Sequence, residues 1–486
     1  MFELKRPLSR RSVMLAGGAL LLGLHLWLVV HALVGHVLYL GGDSMRDAWP
    51  AWKFLQTGRV DRALASPYES GLFPLLLTPF LALFGNTILC LKVASAALTS
   101  ATVVLFYGFL YRAFGVLAAL CLGAVCATSP LLLTHAAWGS LYAVAPWTAL
   151  ILFLSTLSDP RARAVTWAAA GLFTAFNAYF IFPLFVFGLW RGFPAPTERM
   201  ARARALPRPA AFWAFALGVV PLAYRIAAAH GSGDVGSWLD QFWRTSLEHW
   251  RHPLNSVSAV WRQMSWSLDS AHFYHSRLGA PLMDAVSCSW LALTAAGAMW
   301  RRTRRLTFAL LSGLAAAAFI QSLAGVALRH MLAFLPFQWL LLAPMIATPR
   351  GRWMRHVAGS FAFLLTLRQL GLDLFFIAAV QATGATITRD LAALAQELAD
   401  RPASSATVAA DNPNLYLGLL FLAPSHEIRY VDSAGKLASG QGIVLLSAGR
   451  PLRDTEDLFR AKIAGRRYAL LTGRTRYEIL EDGARL

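Results

Sequence analysis

Apolar runs of about 20 residues recur along this chain, and short loops rich in arginine separate them. A helix of that length is needed to cross the hydrocarbon core of a bilayer. Of the 486 residues, 57% are hydrophobic and only 14% are charged, whereas roughly a quarter of a soluble globular chain is charged. The sequence therefore predicts a polytopic α-helical membrane protein.

The positive charge follows the same pattern. The net charge of +19 comes from 44 Lys and Arg against 25 Asp and Glu, and most of the excess lies in short loops between apolar runs. Cytoplasmic loops of membrane proteins carry this bias, so nucleic acid is not expected as a partner. The four cysteines all fall in apolar runs without a Cys-x-x-Cys pair, which indicates neither a disulfide framework nor a zinc site.

Loop charge also predicts the orientation. The basic start "KRPLSRR" is expected in the cytoplasm, followed by a retained first spanning helix over about 13–40, because its apolar core is too long for a signal peptide. Continuing the alternation gives about 11 crossings, with outer loops at 41–86 and 230–281. The run 164–190 has two cytoplasmic ends, so it either crosses twice or dips in and returns. The other expected crossings include the apolar runs 87–110, 115–133, 331–348 and 356–381. We expect a bacterial inner (plasma) membrane protein.

The last 100 or so residues have a different composition. Segments such as "ATVAAD", "EIRYVD", "GIVLLS" and "RYALLTG" are typical of short strands, and helical segments lie between them. We therefore divide the chain into a transmembrane domain, 1–384, and a small extracytoplasmic α/β domain, 385–486, with a largely parallel sheet. A structural cap is favoured over a second active site, since the segment has no phosphate loop or metal cluster.

Several titratable residues collect on the predicted outer side. Such groups near a membrane are costly unless they are solvated or paired, so each is a functional candidate. Each also has a structural interpretation: the acids could cap a helix that starts near Ser44, and an arginine could reach the lipid headgroups. The candidates are Asp43, Asp47, Arg46, His135, Arg329 and His330.

No cofactor is indicated with certainty. No His, Asp or Glu cluster has the spacing of a metal site, and no Walker loop, zincin motif or Gly-x-Ser-x-Gly appears. A divalent metal is therefore compatible with the chain but not supported by ligand spacing.

Three segments carry a family resemblance. "YLGGDSMRDAWPAWKFLQTG" resembles the acidic opening of the first outer loop in the GT-C superfamily of membrane glycosyltransferases, in the branch of protein O-mannosyltransferases and aminoarabinose transferases. "SPYESGLFPLLLTPFLALFGN" resembles the Pro-rich segment that ends that loop, and "RHMLAFLPFQWLLLAP" is similar to an Arg-Tyr-x-Leu-x-x-x-Pro segment of later helices. The chain departs from the family at Ser44, where a second acid would follow Asp43.

The resemblance implies inverting transfer of a sugar from a polyprenyl-phosphate donor to a lipid, glycan or protein acceptor at the outer face. A carboxylate would accept the proton of the attacking hydroxyl or amine, with Asp43 first and Asp47 second. Cations would stabilise the departing phosphate, with Arg329 first and His330, His135 and Arg46 in support. Membrane lipids are the remaining expected partners.

Two other functions fit the same sequence. A transporter or flippase for a lipid-linked or anionic substrate would use a basic cavity without chemistry, although no repeated halves are evident. A non-catalytic protein with the GT-C fold is the other alternative, because the second acid of the motif is displaced. Product formation from a labelled lipid-phosphate sugar distinguishes all three.

The predicted orientation can be tested with single cysteines in a background lacking the four native ones. Ser404→Cys in the tail should react with a membrane-impermeant maleimide in intact cells. Thr303→Cys in the "RRTRR" loop should react only after the membrane is disrupted, because arginine clusters resist translocation. The reverse pattern would show that the orientation is inverted.

Overall fold

The computed structural model describes most of the first third of the chain and parts of the remainder. The described ranges are 10–35, 42–59, 73–155, 280–299, 332–347, 352–383, 407–410, 413–423, 428–430, 442–448, 467–472 and 475–480, together with a few single residues. All structural statements below concern these residues.

Three long apolar helices belong to the described bundle. They are α1 (Arg10–Gly35), α4 (Ile88–Phe114) and α11 (Arg352–Thr383). Each is long and apolar enough to cross a membrane, so the protein is an integral membrane protein. Over the described residues, these helices match the predicted crossings at 13–40, 87–110 and 356–381. The total of about 11 crossings extends over residues outside the described part.

Two helices that meet at a bend are together long enough to cross a membrane as a fourth span. α5 (Val116–Ala127) and α6 (Pro130–Ala137) meet at an angle of 44°. Pro130 cannot donate an amide hydrogen bond into a preceding helical turn, and it favours the first turn of a new helix. The sequence "GVLAALCLGAVCATSPLLL" had been expected to cross as one run, and the structure places a bend inside it.

The break between α5 and α6 is held by polar side chains within the bundle. His25 on α1 lies 2.9 Å from the Ala127 carbonyl through Nδ1, and 3.0 Å from the Thr99 hydroxyl through Nε2. The Thr128 hydroxyl donates to Gln369 on α11 at 3.1 Å. These bonds fix where α6 starts, and therefore where its other end lies.

Two short segments pack against each other, one that follows α6 and one that precedes α4. A 3₁₀ turn (Leu141–Val144) leads into α7 (Pro146–Ser155). Before α4, a 3₁₀ turn (Pro74–Leu77) leads into α3 (Thr78–Phe84). Phe73 meets Tyr142 edge-on with ring centroids 5.6 Å apart, so the Pro-rich segment predicted to end the first outer loop packs against the segment that follows α6.

The predicted spanning run 331–348 has a different structure. It contains a 3₁₀ turn (Leu332–Phe334) and two short helices, α9 (Leu335–Leu340) and α10 (Ala343–Ala347). Almost every residue from 332 to 346 is buried. Prolines near the start of each short helix interrupt a continuous ladder of hydrogen bonds, and irregular backbone at membrane depth is tolerated where protein surrounds it. α8 (Ala280–Met299) packs nearby, with Trp290 donating to the Gln338 carbonyl at 3.3 Å.

The described residues after 407 form a five-stranded sheet and one helix. The strands are β1 (Thr407–Ala410), β2 (Ile428–Tyr430), β3 (Gly442–Ala448), β4 (Arg467–Thr472) and β5 (Thr475–Leu480), in the order β2-β1-β3-β5-β4. β1 pairs in parallel with β2 and β3, while β5 is antiparallel to β3 and β4. The sheet is therefore mixed and not largely parallel, because β4 and β5 are joined by only two residues.

The helix between β1 and β2 docks on the transmembrane part. α12 (Pro413–Leu422) packs against α2 (Gly42–Thr57). Leu419 and Phe421 are fully buried in the same apolar core as α4 and α5, and Asn86 donates its side-chain amide to the Phe421 carbonyl at 2.9 Å. α12 thus joins the sheet to the bundle.

The docking predicts a specific loss of stability. Phe421→Ala should lower the free energy of unfolding by about 3–5 kcal/mol, the usual cost of truncating a fully buried phenylalanine. The melting temperature in detergent measures this. Leu422→Ala, on the same helix but only partly buried, is the matched control. Equal losses in the two variants would contradict docking through Phe421.

Candidate functional site

α2 carries both candidate acids. Its backbone is helical from Gly42, so Asp43 stands at the second position and Asp47 one turn later. The Asp47 side chain is only 2% exposed, which is incompatible with a solvated helix end. The interpretation of Asp47 as a simple surface cap is therefore wrong, because burial of a carboxylate requires compensating polar contacts.

The end of α6 forms a second part of the site. Gly139 has φ +66°, the left-handed backbone that glycine adopts readily. The amide of Gly139 donates to the Ala136 carbonyl at 3.3 Å, and the amide of Ser140 donates to the His135 carbonyl at 3.1 Å. This pair of bonds is the Schellman arrangement that ends many helices. We call residues 135–140 the α6 turn.

Side chains from two other helices satisfy three further carbonyls of the α6 turn. The Lys92 ammonium on α4 donates to Ala137, the Ser44 hydroxyl on α2 donates to Trp138 at 3.0 Å, and the Ser95 hydroxyl on α4 donates to Ser140 at 3.0 Å. The last carbonyls of a helix have no partner within it. Buried carbonyls without donors are costly, so these three bonds fix α2 and α4 against the same turn.

Lys92 is the residue that the sequence analysis missed. Only 1% of its surface is exposed, and it lies within the apolar run "ILCLKVASAALTS". Lysine is almost never fully buried unless it is paired. A single cation near the start of an otherwise apolar helix was the available signal, since charged residues inside spanning segments are functional candidates.

His135 lies within the α6 turn and is 2% exposed. Its Nδ1 is 2.8 Å from the Leu131 carbonyl of the preceding helical turn, and its ring lies 5.8 Å from that of Trp138. The structure thus brings Asp47 and His135 to elements that touch, since Ser44 on α2 bonds to Trp138. It places His135 inside the protein, as expected for a buried histidine that contacts its own helix.

Other predicted site residues fall outside what the structure describes. The backbone of Asp43 and Arg46 lies in α2, but their side chains are outside the described part. Arg329 and His330 also lie outside the described residues, which resume at Leu332. A shared cavity between Asp43 and Arg329 therefore stays a prediction.

Within the described residues, no group of three or more His, Cys, Asp or Glu side chains could hold a metal ion. The polar atoms at the α6 turn are mainly hydroxyls, backbone carbonyls and one ammonium. A cation such as Lys92 disfavours a second positive ion beside it. The contacts of the α6 turn therefore hold α2, the helix that carries the two carboxylates, in a fixed position.

The fold is similar to that of ArnT, a protein of solved structure. The crystal structure of ArnT from Cupriavidus metallidurans bound to undecaprenyl phosphate matches with a TM-score of 0.58 and 15% sequence identity, covering 95% of this chain and 97% of that one. The apo structure of the same protein matches with a TM-score of 0.53 and 13% identity, covering 93% and 96%. The predicted resemblance is confirmed at the level of the fold. No protein-family model matches, and neither does any curated protein sequence.

The α6 turn predicts a measurable contribution from Ser44. Ser44→Ala should lower the free energy of unfolding by about 1–3 kcal/mol, because the buried Trp138 carbonyl loses its donor. Chemical unfolding in detergent measures the change. Thr57→Ala on the same helix is the control, since the Thr57 hydroxyl bonds to Lys53 in an exposed position and water replaces it. A loss no larger than the control would contradict the role of Ser44.

Proposed function

We propose that this protein transfers a sugar from a polyprenyl-phosphate donor to a hydroxyl or amine of a lipid, glycan or protein acceptor. The observation that supports this most is α2, an acid-bearing helix fixed at the end of the bundle, in a fold shared with a protein whose structure holds undecaprenyl phosphate. Likeness of fold alone does not specify chemistry. The residues on α2 therefore carry the more specific part of the proposal.

The proposed reaction is a single displacement. A carboxylate accepts the proton of the acceptor, the acceptor atom forms a bond to the anomeric carbon, and the bond from that carbon to the phosphate oxygen breaks. The lipid phosphate leaves with the electron pair, and the anomeric centre is inverted. Because phosphate is already a good leaving group, positioned cations suffice to stabilise its developing charge.

The two acids of α2 are given different roles. Asp43 is proposed as the base, and Asp47 second. Burial of Asp47 at 2% exposure supports this order, because a base must come within hydrogen-bond distance of the acceptor proton. Arg329 is proposed to hold the phosphate, with His330 and Arg46 in support. His135 is not given this role here, because its side chain is only 2% exposed.

The proposal includes an orientation. The N-terminus is placed in the cytoplasm of a bacterial cell, and α2, the α6 turn and the sheet at the outer face of the inner membrane. The direction of α1 and the charge of the loops support this. The lipid donor would present its headgroup at that face, beside the end of the bundle where α2 lies.

The base assignment is tested by turnover of purified protein with a radiolabelled polyprenyl-phosphate sugar. Asp43→Asn should reduce turnover by roughly 100-fold or more, the usual effect of losing a general base, while the protein stays folded. Asp47→Asn should reduce turnover less, because a buried acid does not reach the acceptor. Arg329→Ala should raise the donor KM and slow departure of the phosphate.

Thr57→Ala, at an exposed site of the same helix, controls for helix damage in this assay. Full activity in Asp43→Asn would reject Asp43 as the base. If the wild-type protein instead moves labelled lipid across liposomes without forming product, it is a transporter or flippase. If it does neither with any donor, the non-catalytic alternative stands.

A further inference from the structure

We infer that Lys92 is a positioning residue for the acid-bearing helix α2, and that its charge is coupled to Asp47 through the α6 turn. Both side chains are titratable and buried, at 1% and 2% exposure. They approach the same short piece of backbone from different helices. The inference concerns how the site is held together, and only its consequence for catalysis rests on the proposed function.

The contacts place Lys92 and Ser44 on consecutive peptide groups of the α6 turn. Lys92 donates to the carbonyl of Ala137, and Ser44 donates to the carbonyl of Trp138. Ser44 and Asp47 are three residues apart on α2, so they share one face of the helix. The face of α2 that carries Asp47 is therefore the face that meets the turn through Ser44.

The energetics favour coupling between these groups. A charge transferred from water into a low-dielectric interior loses several kcal/mol of solvation, and an opposite charge nearby recovers part of it. The end of α6 adds to this for the lysine, because the C-terminal end of a helix carries a partial negative charge. Removal of one charge leaves the other buried with less compensation, whereas removal of both relieves that cost.

Lys92 is too deeply buried to act as a donor-binding cation in this arrangement. Its ammonium already bonds to the α6 turn, and only 1% of the side chain is exposed. A residue that binds the lipid phosphate must present its donors to the lipid. Lys92 therefore acts on the reaction through the position of α2, and it does not touch the substrate.

A melting cycle tests the coupling without any substrate. Wild type, Lys92→Gln, Asp47→Asn and the double variant are compared in the same detergent. Each single variant should lower the melting temperature, and the double variant should melt no lower than the worse single variant, since coupled residues are not additive. Additive losses would overturn the coupling.

Ser95 provides the matched control. It lies one turn further along α4 and donates to Ser140 of the same α6 turn, but it carries no charge. In a second cycle, Ser95→Ala and Asp47→Asn should be additive. Equal non-additivity in both cycles would show that only hydrogen bonding to the turn matters, and would overturn the role of the lysine charge. If Lys92→Gln does not fold, a folded double variant supports the coupling and an unfolded one overturns it.

Turnover separates positioning from donor binding. With a wild type that forms product, Lys92→Gln should lower kcat at least tenfold and leave the donor KM within twofold, because a displaced α2 misplaces the base. A large rise in donor KM with kcat unchanged would make Lys92 a donor-binding residue and overturn the inference. A wild type without turnover would sink the proposed function, while the melting cycle would still decide the coupling.

Discussion

The end of α6 is the constraint on which the described site depends. A helix that stops inside a protein leaves carbonyl groups that need donors, and water is scarce within a membrane bundle. Here the Schellman bonds satisfy two of them, and Lys92 and Ser44 satisfy two more, while Ser95 donates to the Ser140 carbonyl just beyond the helix. Because those donors come from α2 and α4, the unsatisfied end of one helix determines where two other helices lie.

Apolar packing also holds α2 in place. α12 covers α2, with Leu419 and Phe421 in the common core, and Asn86 bonds to the chain at Phe421. α2 is thus enclosed between a polar turn and an apolar helix from the sheet. Contacts with both elements restrict the movement of α2, and they therefore restrict the positions of the acids that it carries.

The sequence was informative where one physical effect dominates. Long apolar runs predicted α1, α4 and α11, and short segments bounded by polar residues predicted β1 to β4. The interrupted helices at 332–347 were predicted as one span, since periodicity does not distinguish a lipid-facing helix from a segment enclosed by protein. Lys92 was missed for a related reason: its partner is a backbone carbonyl, and the sequence does not reveal which carbonyls a fold leaves unsatisfied.

A fold can persist at 15% identity to ArnT because apolar packing tolerates many substitutions that keep volume and pattern. Polar contacts at a helix end are less tolerant, since each buried carbonyl needs a donor at one position and in one direction. Individual residues are therefore expected to matter at the α6 turn. Ser44 fits this view: its hydroxyl donates to the turn, which an ionised carboxylate at the same position could not do.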